Sequence, residues 1–550
     1  MAERLTEPAN RPNRWLLGLL IGAILVGALL TRLALAVVAE HPGHADHAHY
    51  YILARNLASG RGYEIDYIWH FLSHPTGIPT YSNDYWMPFA SVLISLALRL
   101  FDHSLRAALL PSIVLGMALA VPTYQWGMAY ARSRWVAWGA VALVWFNPLL
   151  YKSSLLTDTA IYFVFFAVYS LYCMTLGWRK PRYFVVAGGL AGLAHLTRQD
   201  GVLLLVTLLA VISSSPQPAR VRRNTAGAAL LVYVLVLAPL LVGNLRSMGT
   251  PLPSGSMRTM FATEYEDIYT YKDRLTLENY LDQGLNAIVR YKGEVAVENG
   301  TRLQGLLWNG QSVREYVGST RSFYLVLSYV LWGLLIVEIA YLVRTPALRN
   351  HRELYLPLAL YFEFLFLFYT VVASATTEGG GFRRSALTIV PFLAVMIVNA
   401  LARVIKPRLL AEAVYGVLLA FLVAESFLAA ENTLAVNRDV GAAFERVGVA
   451  IEADSAQRDI AAPVLMARDP WEASYSTGFP AVQIPNDDLA TILVAAQRYD
   501  VTYILLPAPR ADLEPIFSGE EDDLRFVWIA TLPGTSFTAE YKLYYLDLPR

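Results

Sequence analysis

The feature that most constrains this chain is a series of eleven apolar runs, at about 15–39, 107–130, 135–152, 158–178, 183–198, 200–214, 226–245, 321–343, 354–374, 386–402 and 409–429. A bilayer core of about 30 Å is crossed by roughly 20 apolar residues in a helix, and inside it each backbone N–H and C=O must be satisfied within the protein. The sequence therefore reads as a polytopic α-helical membrane protein with about eleven transmembrane helices. The fifth run contains GGLAGLAHL, whose small residues predict a close helix–helix approach. Trp15 to Ala39 is long enough to span and carries no convincing cleavage signal, so it reads as a retained first helix.

Basic clusters set the expected topology. Arg11 and Arg14, Arg132 and Arg134, Arg179 to Arg182, Arg220 to Arg223, Arg344 to Arg352, and Arg403 to Arg408 all fall on one side if the segment 86–101 lies at the membrane surface as a juxtamembrane helix. That is the positive-inside pattern. Counting 86–101 as a span would put most of these clusters outside. The expected arrangement is a multi-pass protein of a plasma (inner) membrane, with residues 1–14 cytoplasmic, a membrane module over 15–430, and outer regions at 40–106 and 246–320. The second outer region is polar and Tyr-rich, and it reads as a lid or as plain surface. Lys+Arg and Asp+Glu balance at 44 each, which gives no electrostatic reason to expect a nucleic-acid partner. The single cysteine, Cys173, excludes an internal disulfide framework.

From Val440 the chain becomes soluble in character. PVLMA (463–467), VTYILL (501–506), FVWIATL (526–532) and YKLYYLDL (541–548) read as strands, with a helix over 487–499 between the first two. The reading is a small extracytoplasmic α/β domain over 431–550.

In this topology the outer membrane face collects Asp46, Lys152, Asp158, Arg198, Asp200, Arg383 and Arg384 at helix ends. Charges near membrane depth are costly, so they are usually paired or functional. Cations beside carboxylates suit a phosphate held at the membrane surface, with an acid nearby for proton transfer or metal binding.

The pattern Asp46-x3-Tyr50-x3-Ala54-x2-Leu57-x2-Gly60 after a first membrane helix resembles the first outer loop of the GT-C membrane glycosyltransferases, which include protein O-mannosyltransferases, lipid A aminoarabinose transferases and oligosaccharyltransferases. Pro88 before a surface helix, Leu156-Thr157-Asp158, His195-Leu196-Thr197-Arg198-Gln199-Asp200-Gly201 and Asn244-x4-Gly249-x-Pro251 follow in the same order. The resemblance covers about 15 to 400. It implies a GT-C-like module that transfers a sugar from a polyprenyl-phosphate donor to a glycan, lipid or protein acceptor, with Asp46 as general base. It also implies that Asp158 binds a metal or positions the acceptor, and that Arg198 contacts the donor phosphate. Chemistry suits those roles, because inverting displacement needs a base for the acceptor proton and cations for the leaving phosphate. Arg383, Arg384 and Lys152 are further candidates for the phosphate.

One departure stands out. Relatives often carry a second acid after the first, whereas here that position is His47, flanked by His44 and His49. These histidines could hold a divalent metal with Asp46 and Asp158, tune Asp46 by hydrogen bonding, or be polar loop residues; their spacing fits no closed zinc site. No cofactor is otherwise implied. Plainer readings stand beside the rest: Asp158 as the acid that caps its helix, Arg198–Asp200 as a structural ion pair, Arg383 and Arg384 as a turn after GGG (379–381), Lys152 as a snorkelling side chain, and the aromatic residues as interfacial belt and helix packing. Two rival functions are an oligosaccharyltransferase using a diphosphate-linked lipid and a non-enzymatic transporter, although neither an internal repeat nor midplane charge favours the latter.

Overall fold

The computed structural model describes residues 14–43, 46–252, 254–308, 318–345, 351–377, 380–508 and 510–549. Seven of the described helices are long and apolar enough to cross a membrane: Leu105–Ala131, Ala160–Gly177, Ala219–Met248, Ser322–Arg344, Arg352–Val372, Gly381–Val404 and Arg408–Arg458. Other expected spans fall on Arg14–Val37 and on the shorter helices Arg182–Thr197 and Val202–Ser214. The run 135–152 is broken. Helix Arg134–Trp145 stops, and Asn147 starts a new helix, Pro148–Ser153, by accepting a hydrogen bond from the Leu150 N–H at 3.1 Å. Asparagine at the cap and proline at the first helical position are the residues such a restart needs. The segment 86–101 forms the short helix Phe89–Leu100, seated on helix Asp46–Ser59 through a hydrogen bond from Ser91 Oγ to the Tyr50 carbonyl.

Small residues set the helix spacing where GGLAGLAHL predicts it. A Cβ added at Gly188 would lie 2.5 Å from the carbonyl oxygen of Ala229, so helices Arg182–Thr197 and Ala219–Met248 touch backbone to backbone. Arg32 is buried on the first helix. Its guanidinium donates to Ser154 Oγ at 2.9 Å and to the Ala28 and Trp145 carbonyls, and lies 4.1 Å from the Tyr151 ring centroid. A charge at that depth is tolerated because its donors are satisfied.

Helix Arg408–Arg458 runs unbroken for 51 residues, through the point where the sequence changes from membrane-like to soluble. At 1.5 Å per residue that is about 75 Å, more than twice a bilayer core. Its distal half packs Phe444, Val447 and Ile451 against a six-stranded sheet. The sheet order is Tyr67–Ile68, Ala481–Gln483, Leu465–Ala467, Tyr503–Leu506, Tyr541–Leu546, Phe526–Leu532; the first four strands are parallel and the last two antiparallel. The central strands are buried throughout, as expected where both faces are covered.

The edge strand Tyr67–Ile68 comes from the first loop, not from the terminal domain, with Tyr67 opposite Ala481 and Ile68 opposite Val482. The long loop after Ala219–Met248 is tied to the same domain. Asn486 N donates to the Tyr269 carbonyl at 3.0 Å, and Arg510 donates to Glu266 Oε2 at 2.8 Å. Residues of both loops and of the terminal sheet therefore share one core, including Tyr67, Trp69, Ile268, Tyr269 and Trp471.

Candidate active site

Asp46 is the first residue of helix Asp46–Ser59, where the unsatisfied N–H groups favour an acid. Asp158 sits in the turn before helix Ala160–Gly177. One oxygen accepts from the Ala160 N–H at 3.3 Å, so the capping reading holds for that oxygen. The other, Oδ2, lies 3.4 Å from Arg384 Nε and 3.8 Å from His47 Nε2. Arg384 also donates to Asp46 Oδ2, so a single guanidinium joins the two carboxylates. Burial works against ionisation of Asp158, but Arg384, His47 and Arg198 outweigh it and hold its carboxyl well below the usual carboxylate range.

Arg198 ends helix Arg182–Thr197 in an extended conformation and enters the short turn Gln199–Gly201. A side chain at Gly201 would meet the His195 backbone at 2.4 Å, which is why the turn needs glycine. Arg198 Nε donates to Asp200 Oδ1 and Ser385 Oγ, both at 3.2 Å, and Nη2 donates to the Tyr369 hydroxyl at 3.1 Å. The ion pair with Asp200 is real, and the same guanidinium still borders a cavity. Tyr369 lies on a π-helical turn, Phe368–Val372, a distortion common at functional sites.

The cavity has a volume of about 400 Å³. Asp46, Arg198, Asp200, Thr159, Tyr369 and Arg384 line it, while Phe368, Val372 and Met257 supply apolar wall. Tyr50, one turn after Asp46, also faces it. Burial, with Asp46 and Asp158 adding to it, keeps the Tyr50 hydroxyl protonated well above its ordinary range. Asp158, Lys152 and Arg383 stand behind this wall, with Lys152 close enough to feel the charges of Arg383, Arg384 and Asp158.

The histidines separate. His44 lies outside the described residues. His47 approaches Asp158. His49 turns away, sharing a 2.6 Å hydrogen bond with the Tyr67 hydroxyl and packing 4.0 Å from the Trp86 ring, and burial pushes its pKa down to about 3. Among the described residues no group of three His, Cys, Asp or Glu side chains is placed to hold a metal ion. Asp46 and Asp158 are instead joined by the Arg384 guanidinium, with His47 beside Asp158, so as arranged these three do not fit a bridging metal.

The sequence reading assigns aromatic residues to belts and packing. Trp69, Tyr85, Trp86, Tyr265, Tyr269 and Trp471 instead line the same cavity, beside Arg468 and Asp469 of the terminal domain. Nothing in the local pattern of those segments distinguishes them from core aromatics. Only the tertiary pairing of loop and sheet brings them to the site.

Comparison with known proteins adds a match over one segment and a likeness of fold. Residues 79–242 match the family described as dolichyl-phosphate-mannose-protein mannosyltransferase. No curated protein matches the chain's sequence. The archaeal oligosaccharyltransferase AglB from Archaeoglobus fulgidus, solved with an inhibitory peptide and a dolichol-phosphate, superposes with a TM-score of 0.54 at 14% identity, over 89% of this chain and 70% of that one. The Archaeoglobus fulgidus oligosaccharyltransferase tethered to an acceptor peptide gives 0.56 at 13%, over 90% and 70%. ArnT from Cupriavidus metallidurans bound to undecaprenyl phosphate gives 0.47 at 12%, over 98% and 100%.

Proposed function

We propose, on the premise that this chain has the fold and a matched segment of the GT-C membrane glycosyltransferases, that it transfers a sugar from a polyprenyl-phosphate donor to an acceptor hydroxyl by inverting displacement. The observation that carries this reading is that Asp46, Arg198 and Arg384 share one cavity whose wall also has an apolar part. A lipid phosphate needs both. Cations meet the phosphate, and apolar residues meet the first isoprene units.

In this reading the acceptor oxygen attacks the anomeric carbon opposite the phosphate, and the bond from that carbon to the phosphate oxygen breaks as the new bond forms. Asp46 takes the hydroxyl proton. The charge left on the lipid phosphate falls toward Arg198 and Arg384, preorganised donors of the kind that stabilise a leaving group most. Asp158, ionised and buried, holds Arg384 in place from behind. Arg383 and Lys152 add positive potential without touching the ligand. A donor phosphate competes with Asp46 for Arg384, so donor binding itself frees the base. No step passes through a metal.

The active face is the extracytoplasmic side of a plasma membrane in this reading, with the N-terminus cytoplasmic and the terminal sheet on the same outer side as the cavity. The acceptor is a glycan, a lipid or a protein. The oligosaccharyltransferase fold likeness supports a second reading, in which the lipid carrier is a diphosphate. One experiment tests both: purified protein is incubated with radiolabelled sugars on undecaprenyl phosphate and on undecaprenyl diphosphate. Transfer or hydrolysis from the monophosphate alone is the expected result. Turnover of the diphosphate alone selects the second reading, and turnover of neither contradicts both.

A further inference from the structure

The cavity that Arg198 and Arg384 border is also lined by three tryptophans. Trp69 and Trp86 stack with centroids 4.2 Å apart and planes 11° from parallel, and Trp471 meets both edge-on at 5.9 and 6.0 Å. Tyr269 stands 6.5 Å from Trp69 at 70°. Trp69 and Trp471 are almost fully buried in a core and Trp86 is partly exposed, and all three reach the wall of the cavity that Asp46 also lines. Arg468 and Asp469 of the terminal domain, of opposite charge, line the same cavity.

Apolar indole surface beside an acid and a base suits a neutral, hydroxyl-rich ring: its C–H groups rest on Trp86, the most exposed of the three indoles, and its hydroxyls hydrogen-bond to the charged groups. The terminal domain is also fixed relative to this wall. The strand Tyr67–Ile68 leads directly into Trp69, and Arg510 and Arg468 both approach Glu266, three residues before Tyr269. Residues 468–471 are thereby held at one position against the loops.

We propose that Trp69, Trp86 and Trp471, with Asp469, form the subsite that reads the sugar ring of the lipid-linked donor, so that the terminal domain sets sugar specificity while the membrane module binds the phosphate. This rests on the functional reading above. It gives the terminal domain a role in recognition that no single one of its elements would suggest.

The test measures binding of the full-length protein to bare undecaprenyl phosphate and to undecaprenyl phosphate carrying mannose, glucose or arabinose. The wild type binds at least one sugar-bearing lipid about tenfold or more tightly than the bare lipid, the size of one or two hydrogen bonds to a charged group. Asp469→Asn and Trp471→Ala each remove most of that preference and leave affinity for the bare lipid unchanged; Arg384→Ala weakens every lipid alike. Asp469→Asn, nearly isosteric, keeps the test decisive if Trp471→Ala does not fold. Equal weakening of bare and sugar-bearing lipids by Asp469→Asn, or a wild type that binds the bare lipid but prefers no sugar, overturns the subsite alone. Failure to bind any of the four lipids overturns the functional reading with it.

Discussion

Arg384 donates to Asp46 and lies 3.4 Å from Asp158, so one guanidinium from helix Gly381–Ala386 ties together carboxylates that are more than a hundred residues apart in the chain. Removing it does two things at once. The leaving phosphate loses a cation, and a buried and a half-buried acid lose their counter-charge. Arg384→Ala is expected to lower kcat by about 10²- to 10³-fold, the usual cost of one such donor. Arg384→Lys retains the charge without the planar fork and is expected to recover only part of that loss. Steady-state transfer assays on detergent-purified variants check both.

The same guanidinium bears on metal dependence. It already occupies the space between Asp46 and Asp158 where a bridging cation would sit. Transfer is expected to continue in excess chelator, and a loss of activity restored by added divalent ion would show that Arg384 leaves the carboxylates during turnover.

Asp158 gives a pH signature. Its carboxyl is held below the ordinary range in the folded protein, so it binds a proton more readily when unfolded. Its contribution to stability is thus fully present above the ordinary carboxylate pKa of about 4 and is lost as pH falls below that value. In Arg384→Ala the largest opposing charge is gone, so the carboxyl is held down less. The variant's melting temperature is expected to fall less steeply with acid than the wild type's, the gap between them narrowing as pH falls. Parallel melting curves for the two proteins between neutrality and pH 4 would contradict this.

Helix spacing has its own test. A side chain at Gly188 would strike the Ala229 carbonyl, and Gly192 faces Val236 at 3.0 Å. Gly188→Val is expected to cost about 1–3 kcal/mol through overpacking, visible as a lower melting temperature with lipid binding per folded molecule unchanged.

Much of the membrane module was legible because length and hydropathy alone specify a spanning helix, and small-residue runs specify close packing. Asp46, Asp158 and Arg198 were legible as charges at helix ends. The choice of Arg384 over Arg383 for the cavity wall was not. Adjacent helical residues point about 100° apart, and only the packing of Gly381 against Tyr369 and Thr376 decides which one faces inward. The edge strand Tyr67–Ile68 is two residues long, too short for periodicity to register. Trp471 looks like any core tryptophan until that strand pairs with Ala481–Gln483 and brings the terminal domain to the site. The 487–499 segment illustrates the opposite case: Asp488 caps helix Leu489–Arg498 through the Thr491 N–H, a local signal that needs no tertiary context.

Asp46→Asn addresses the central claim most directly. The substitution keeps size and removes the base. Single-turnover transfer from a radiolabelled polyprenyl-phosphate sugar should fall by about 10²- to 10⁴-fold. Affinity for undecaprenyl phosphate should be preserved or improved, because Arg384 is no longer held by the Asp46 carboxylate. An Asp46→Asn protein that binds the lipid and transfers sugar at the wild-type rate would contradict the assignment of Asp46 as the base.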